Sequence, residues 1–247
     1  GISVRNIAHE APRDEDETSR DADGDLHLAT DLQRVGRRKF NVLAADAPVA
    51  TPPLPPMSRG AQPDYDDEAR KLWSSLGLDA LGQGVPARHS YNALDAIYRD
   101  ASTGGVAYVG HQTAASSRKV QQDHNITHVV NCTDNMPNYH EAAAGGPVYL
   151  RFNISYWFNA VDGTPASVLA FTAQVFDFVE AAVASGGAVL IHCLAGAHRA
   201  GTTGVLCLMR KTGLDRKAAV AAAKKLRPAI DPIGSFPELL KRYEEAK

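Results

Sequence analysis

The chain has 247 residues, which is enough for one large domain or for one ordinary domain with an extension. Hydrophobic residues make up 44% of it, which excludes a wholly disordered chain, and no apolar run approaches the roughly 18 residues of a membrane span. With 26 basic and 28 acidic side chains the formal net charge is -2, so the chain lacks the overall positive charge of a nucleic-acid binder. We therefore expect neither nucleic acid nor a membrane anchor.

Residues 1–85 differ in composition from the rest, and we expect a largely extended or disordered arm that contains one short helix, from Asp64 to Leu78. Eight acids crowd residues 10–25, and six prolines fall between residues 48 and 63. A charge run cannot bury apolar area, and prolines favour extended geometry. A basic cluster at residues 34–39 fits either a docking segment for a protein partner or an ordinary solvated charge run.

Residues 86–247 alternate strand and helix patterns, which predicts one α/β domain. The strand patterns lie at residues 106–109, 128–131, 148–152 and 188–192. The helical patterns begin at Pro165, after the capping residue Thr164, and span residues 199–211 and 215–226, ending before Gly213 and Pro228. Such alternation is typical of a three-layer fold in which helices flank a central, mostly parallel sheet, with sites at the carboxyl ends of its strands.

Three cysteines are too few for a disulfide framework, which favours a reducing compartment, by default the cytoplasm or nucleus, with an organelle not excluded. Cys207 falls on a predicted helix and is expected in the core. Cys132 ends a predicted strand, so it fits either a protective disulfide with Cys193 or a buried core thiol, which is the commoner case.

The segment from His192 to Arg199 carries the strongest chemical signal. It places Cys193 at the end of a buried strand and Arg199 at the start of a helix, six residues on. A Cys-x5-Arg pair alone would arise by chance in roughly one such sequence in five, but with His192 and Gly196 also required the chance falls below about one in a thousand. The pattern is therefore specific.

A loop of five residues before a helix N-terminus can turn successive N–H groups toward one anion. We expect Arg199 to hold two oxygens of a bound phosphate, and Cys193 to be kept as the nucleophilic thiolate beside these positive groups. His192 is expected to orient the loop by hydrogen bonding. The predicted phosphate-binding residues, besides Arg199, are Leu194, Ala195, Gly196, Ala197 and His198.

A leaving oxygen also needs a proton, and Asp162 is the candidate general acid. It lies in a turn-rich stretch just before the long predicted helix, where Gly163 permits hinge-like backbone angles. An ordinary turn or capping role is the alternative for this residue.

From Thr103 to Tyr243 the chain resembles the cysteine-dependent dual-specificity phosphatases of the protein tyrosine phosphatase superfamily. The match consists of His192-Cys193-x5-Arg199, the position of Asp162, the strand and Pro-Asn loop at residues 126–141, and residues 227–232 before the last helix. The resemblance implies hydrolysis of phosphoserine, phosphothreonine or phosphotyrosine esters through a phosphocysteine, without metal or cofactor.

One position departs from the pattern. Ala200 stands where the family usually has Ser or Thr, as in the regenerating-liver phosphatases, whose acid loop this chain also resembles. Breakdown of the phosphocysteine is therefore expected to be slow. The alternatives are a phosphate-binding pseudophosphatase that serves as a scaffold or subunit of an assembly and, with less support, an enzyme for a non-protein ester. Because the loop has no Lys, a phosphoprotein is favoured over a lipid as the substrate.

Overall fold

The computed structural model describes residues 62–76 and 91–247. The acidic run, the basic cluster, nearly all of the proline-rich stretch and the boundary expected at residue 85 lie outside these ranges. The helix predicted from Asp64 to Leu78 is present as α1, Tyr65–Ser75. Asp64 caps it by accepting hydrogen bonds from the N–H groups of Asp66 and Asp67, which fixes where the helix begins.

The centre of the domain is a five-stranded sheet in the order β1-β2-β5-β3-β4. Only β1 runs antiparallel to its neighbour; the other pairs are parallel. The strands are β1 Leu94–Arg99, β2 Val106–Gly110, β3 Ile126–Asn131, β4 Val148–Arg151 and β5 Ala188–His192. The four predicted strands are confirmed. β1 was missed because its sequence mixes Asp95 and Arg99 with apolar residues, as suits an edge strand that is only partly buried.

Helices cover both faces of the sheet. After α1 they are α2 Gln112–Ser116, α3 Arg118–Asp123, α4 Trp157–Ala160 (after a 3-10 turn at Ile154–Tyr156), α5 Pro165–Ala184, α6 Arg199–Thr212, α7 Arg216–Leu226 and α8 Phe236–Ala246. On β5, Val189 and Ile191 pack with the larger group of helices, α5 to α8, whereas Ala188 and Leu190 face the smaller group, α2 and α3. This period of two confirms the predicted three layers.

The long helix α5 is the one helix of the described chain whose length and apolar character would allow it to cross a membrane. Its sequence is apolar because it is a core helix: Val168, Val175 and Ala182 are fully buried in the main core. Thr164 caps its start, as predicted.

The strand registers bring the carboxyl ends of three strands to one edge of the sheet. His192 at the end of β5 pairs with Gly110 at the end of β2 and with Asn131 at the end of β3. The loop after β5 therefore emerges between the chain segments that follow its two neighbours.

Candidate active site

The loop from Cys193 to His198 connects the end of β5 to the start of α6 and curls around the Cys193 sulfur. The N–H of Gly196 points at Sγ, with 3.3 Å between nitrogen and sulfur. Gly196 has φ +65°, and a Cβ there would collide with the carbonyl of Gly110, so this turn requires glycine. Cys193, His198 and Arg199 are all buried.

The carbonyl oxygens of the loop are bonded outward, to neighbouring elements. Those of Leu194, Ala195, Gly196 and Ala197 accept hydrogen bonds from the Gln112 N–H (3.0 Å), the Tyr91 hydroxyl (2.5 Å), the Arg227 Nε (2.9 Å) and the Asp231 N–H (3.2 Å), respectively. In a peptide unit the N–H points opposite to the C=O, so outward carbonyls turn the following N–H groups inward. The loop thus has the form of an anion cradle.

Arg227 is a buried arginine that holds the loop in place. The sequence did not predict this role. Its guanidinium pairs with Asp95 at 2.5 Å, bonds to the loop carbonyl of Gly196, and lies 4.4 Å from the centre of the Tyr91 ring. Its side chain is fully buried. No local pattern in the sequence marks this arginine as buried, because its partners are distant in the chain: Asp95 in β1, Tyr91 before β1 and the Gly196 carbonyl in the loop.

Arg199 is also buried, and α1 supplies its carboxylate partner. The Arg199 Nη2 donates a short hydrogen bond to Asp66 Oδ1, and the other oxygen of Asp66 accepts from the Asn135 amide at 2.8 Å. Burial alone would raise the pKa of Asp66, but the hydrogen bonds from Asn135 and Arg199 outweigh burial, and the pKa is lowered. Asp66 is therefore an ionised carboxylate on the residue predicted to bind phosphate.

The same helix covers the outer side of the loop. Ala69 of α1 packs against Ala195 and Ala197, and all three are buried. Cys193 is 1% exposed. The side chain predicted to be the nucleophile is therefore closed to solvent.

Asp162 lies two residues before Thr164, the residue that caps α5. Its carboxylate accepts hydrogen bonds from the N–H (2.9 Å) and the hydroxyl (2.7 Å) of Thr164. These bonds lower the pKa of Asp162, which is exposed, to about 2. The cleft of ≈ 420 Å³ beside Arg199 is lined by Asp134 and Asp66 rather than by Asp162. In this conformation the structure does not bring the predicted acid to the loop, and Asp162 is ionised.

The residues after Arg199 leave the sulfur without a hydroxyl donor. Ala200 is fully buried. The hydroxyls of Thr202 and Thr203 donate to the backbone carbonyls four residues earlier, those of His198 (2.6 Å) and Arg199 (3.0 Å). Neither replaces the Ser or Thr that the family pattern has at position 200.

Two other predicted residues lie next to the loop: His192 directly precedes Cys193, and the N–H of Cys132 donates to the His192 carbonyl at 2.9 Å. Burial lowers the pKa of His192 to about 3, so its imidazole is neutral, and neither ring nitrogen makes a hydrogen bond of normal geometry with the described residues. Cys132 is buried, and its thiol donates to the Thr203 hydroxyl at 3.4 Å. Burial raises the pKa of Cys132. Cys132 and Cys193 are both free thiols within one core cluster.

Comparison with known proteins identifies the family of the chain. The family model described as "Dual specificity phosphatase, catalytic domain" matches residues 107–246. Dual specificity protein phosphatase 1 of Arabidopsis thaliana is 27% identical over 139 residues, which are 56% of this chain and 66% of the relative. Dual specificity protein phosphatase 19 of Mus musculus is 29% identical over 139 residues, 56% of this chain and 59% of the relative.

Among solved structures, the crystal structure of human DUSP28 aligns with a TM-score of 0.46 and 26% sequence identity, covering 66% of this chain and 96% of that one. The chain spans less than two thirds of the length of the two curated relatives just described.

Proposed function

Because this chain belongs to the dual specificity phosphatase family, we propose that it hydrolyses phosphoserine, phosphothreonine or phosphotyrosine esters on proteins through a phosphocysteine at Cys193. The observation that carries the proposal is the loop itself. It joins the Cys193 sulfur, inward N–H groups and a buried guanidinium at the N-terminus of α6. A phosphoryl group with its negative oxygens fits that set of donors.

In the first step, the Cys193 thiolate attacks phosphorus while the bond to the leaving oxygen breaks. Arg199 and the N–H groups of the loop hold the remaining phosphoryl oxygens as charge develops on them. Asp162 gives its proton to the leaving oxygen, which departs as an alcohol or phenol. In the second step, Asp162 takes a proton from water, the water oxygen bonds to phosphorus, and the thiolate leaves.

The acid role of Asp162 requires a change of its surroundings. Bonded to Thr164 it is ionised near pH 7, since its pKa is about 2. Substrate binding must break those hydrogen bonds, which would let the pKa rise toward the range of a useful acid. Gly163, whose φ is +92°, is the adjacent position at which the backbone can turn.

A second candidate function is that of a phosphate-binding pseudophosphatase that serves as a scaffold or subunit. Two observations favour it: Ala200 leaves the sulfur without a hydroxyl donor, and Asp66 already occupies Arg199. This alternative keeps the anion cradle and lacks turnover.

Release of p-nitrophenol from p-nitrophenyl phosphate distinguishes the two. We expect slow but measurable turnover by the 247-residue chain, abolished in Cys193→Ser. The matched control is Cys207→Ser, the same substitution at a half-buried cysteine of α6, which should retain the rate. Binding of inorganic phosphate without turnover would favour the pseudophosphatase, and a Cys193→Ser variant with full activity would overturn the proposed function.

A further inference from the structure

Helix α1 lies against Arg199 and against the loop after Cys193, where the proposed function places a phosphoryl group. We propose that residues 62–76 are a built-in inhibitor of the Cys193 site, in which the Asp66 carboxylate takes the place of a phosphoryl group at Arg199. The helix must leave before a phosphorylated substrate can bind. This inference rests on the proposed function, whose phosphate site it regulates.

The contact with Arg199 has the chemistry of a substrate mimic. A carboxylate, like a phosphoryl group, presents negative oxygens to a guanidinium fork. Asp66 lies in the first turn of α1, where the helix dipole favours a negative charge. Asn135, from the loop after β3, holds its second oxygen, so the carboxylate is fixed across the mouth of the site. Two clefts, of ≈ 520 Å³ and ≈ 420 Å³, are both lined by Asp66 and Asn135.

Small residues on both sides let α1 approach the loop closely enough to shield it from solvent. Ala69 lies one turn after Asp66 and is 1% exposed, packed on Ala195 and Ala197. One turn further, the Trp73 ring meets the His111 ring edge-on, with 4.9 Å between centres. The contacts of α1 with the loop and with His111 thus extend over two turns of the helix.

A second anchor lies at the other end of the segment. Tyr65 stacks on Phe236 of α8 with ring centres 4.5 Å apart, and its hydroxyl is 3.4 Å from that of Ser235. Pro63 packs on Gly234, where a Cβ would lie 2.7 Å from the proline ring. These contacts lie outside the loop and fix the register that points Asp66 at Arg199.

The segment is built so that it can be released. An isolated helix of 11 residues is marginal in water, so α1 depends on its docking contacts to stay folded. Its outer face is solvent-exposed, with Arg70 paired to Asp67 and Lys71 to Glu68. No strand of the sheet pairs with the segment, so its departure leaves the sheet intact.

The most direct test replaces Asp66 with Asn in the 247-residue chain and compares it with Asp67→Asn. Asp67 is the matched control because it lies in the same turn but pairs with Arg70 on the exposed face. A site that is open for only a fraction of the time binds its ligand more weakly by that fraction. We expect Asp66→Asn to lower KM for p-nitrophenyl phosphate by about 10- to 100-fold, the worth of a charge-assisted contact, and Asp67→Asn to leave it unchanged.

Alkylation of Cys193 by iodoacetate gives a readout that needs no turnover. The rate of alkylation should rise in Asp66→Asn and in Ala69→Gln. The second substitution displaces α1 from the loop because the side chain is too large for the contact, and it leaves the charge unchanged. If alkylation rises while no variant hydrolyses p-nitrophenyl phosphate, then α1 does close the Cys193 site and the proposed phosphatase function fails. If the wild-type chain turns over and neither variant changes KM or alkylation relative to Asp67→Asn, the function stands and the inhibitor is overturned.

Competition can also be observed in the wild-type chain, because coupling between two ligands of one site is reciprocal. Vanadate should displace Asp66, undock α1 and speed trypsin cleavage after Arg70 and Lys71. Cleavage there that is insensitive to vanadate, at concentrations shown to bind the site, would contradict the proposal.

Discussion

Ala200 is the residue that most affects the expected rate. In the proposed mechanism, a hydroxyl at this position would donate a hydrogen bond to the sulfur as the phosphocysteine breaks down, and a methyl group cannot. The hydroxyls of Thr202 and Thr203 are bonded to backbone carbonyls, so they do not substitute for it.

We predict that the phosphocysteine accumulates. A missing charge-assisted hydrogen bond of about 1.5 to 3 kcal/mol slows the second step by roughly 10- to 100-fold. Rapid mixing with saturating p-nitrophenyl phosphate should show a burst of phenol near one equivalent of enzyme, followed by slow turnover. Ala200→Ser should speed the slow phase and leave the burst rate similar. A linear time course in both proteins would show that the first step is limiting.

His192 links stability to pH. Its pKa is about 3 in the folded chain, against 6.5 for an exposed histidine, because burial disfavours the charged ring. The unfolded chain therefore binds a proton at His192 more readily than the folded chain does. For this reason the contribution of His192 to the free energy of unfolding is complete above pH 6.5 and is lost as the pH falls toward 3.

From pH 7.5 to 5.5 we expect the free energy of unfolding of the wild-type chain to fall by about 1.4 kcal/mol more than that of His192→Gln. Urea titrations of both proteins at the two pH values measure this difference, in which the contributions of other groups cancel. Equal losses in the two proteins would mean that His192 is protonated as easily in the folded chain as in the unfolded one.

At the scale of elements, the sequence predicted those helix ends and strands that depend on residues close together in the chain. The helix α6 ends at Gly213, which has φ +73°, and α7 begins after its capping residue Asp215, both at the predicted positions. Apolar runs of branched residues identified β5 and its parallel neighbours. The contact of Asp66 with Arg199 was not predictable, because 133 positions separate the two residues and a charged first turn is ordinary in any exposed helix.

The loop between β5 and α6 depends on Arg227, from the segment after α7. We predict that Arg227→Met lowers the free energy of unfolding by about 3 to 5 kcal/mol, because Asp95 loses its partner and the Gly196 carbonyl loses a donor. kcat/KM should fall by at least about 10-fold as the loop loosens. The control is Lys224→Met at the exposed pair with Asp231, where a loss of under about 1 kcal/mol is expected. Similar losses in the two variants would contradict the supporting role of Arg227.

At the scale of the whole molecule, α1 packs on the outside of the α/β domain, and its first residue, Tyr65, reaches the main core cluster. The composition of residues 1–85 predicts an arm that adds little stability, unless Trp73 and Leu76 pack on the domain. In the structure Trp73 does contact the domain, at His111, while Tyr65 and Ala69 are buried. The gain from these contacts is offset in part by the entropy of ordering the segment.

We predict that deletion of residues 1–85 lowers Tm by roughly 2 to 8 °C, equivalent to about 1 to 2 kcal/mol, and that the remaining domain still unfolds in one transition. Differential scanning calorimetry of the two chains tests this. An unchanged Tm would show that α1 is undocked in solution, and a domain that fails to fold would show that the fold depends on α1.

The measurement that tests the central claim most directly is the identity of the covalent intermediate. The 247-residue chain is mixed with p-nitrophenyl phosphate, quenched in acid within the burst phase and mapped by mass spectrometry. We predict a phosphoryl group on Cys193, present also in Cys207→Ser, absent in Cys193→Ser, and more abundant in Asp66→Asn at subsaturating substrate. Phenol release with no phosphoryl group on Cys193, or with one on another residue, would contradict the account.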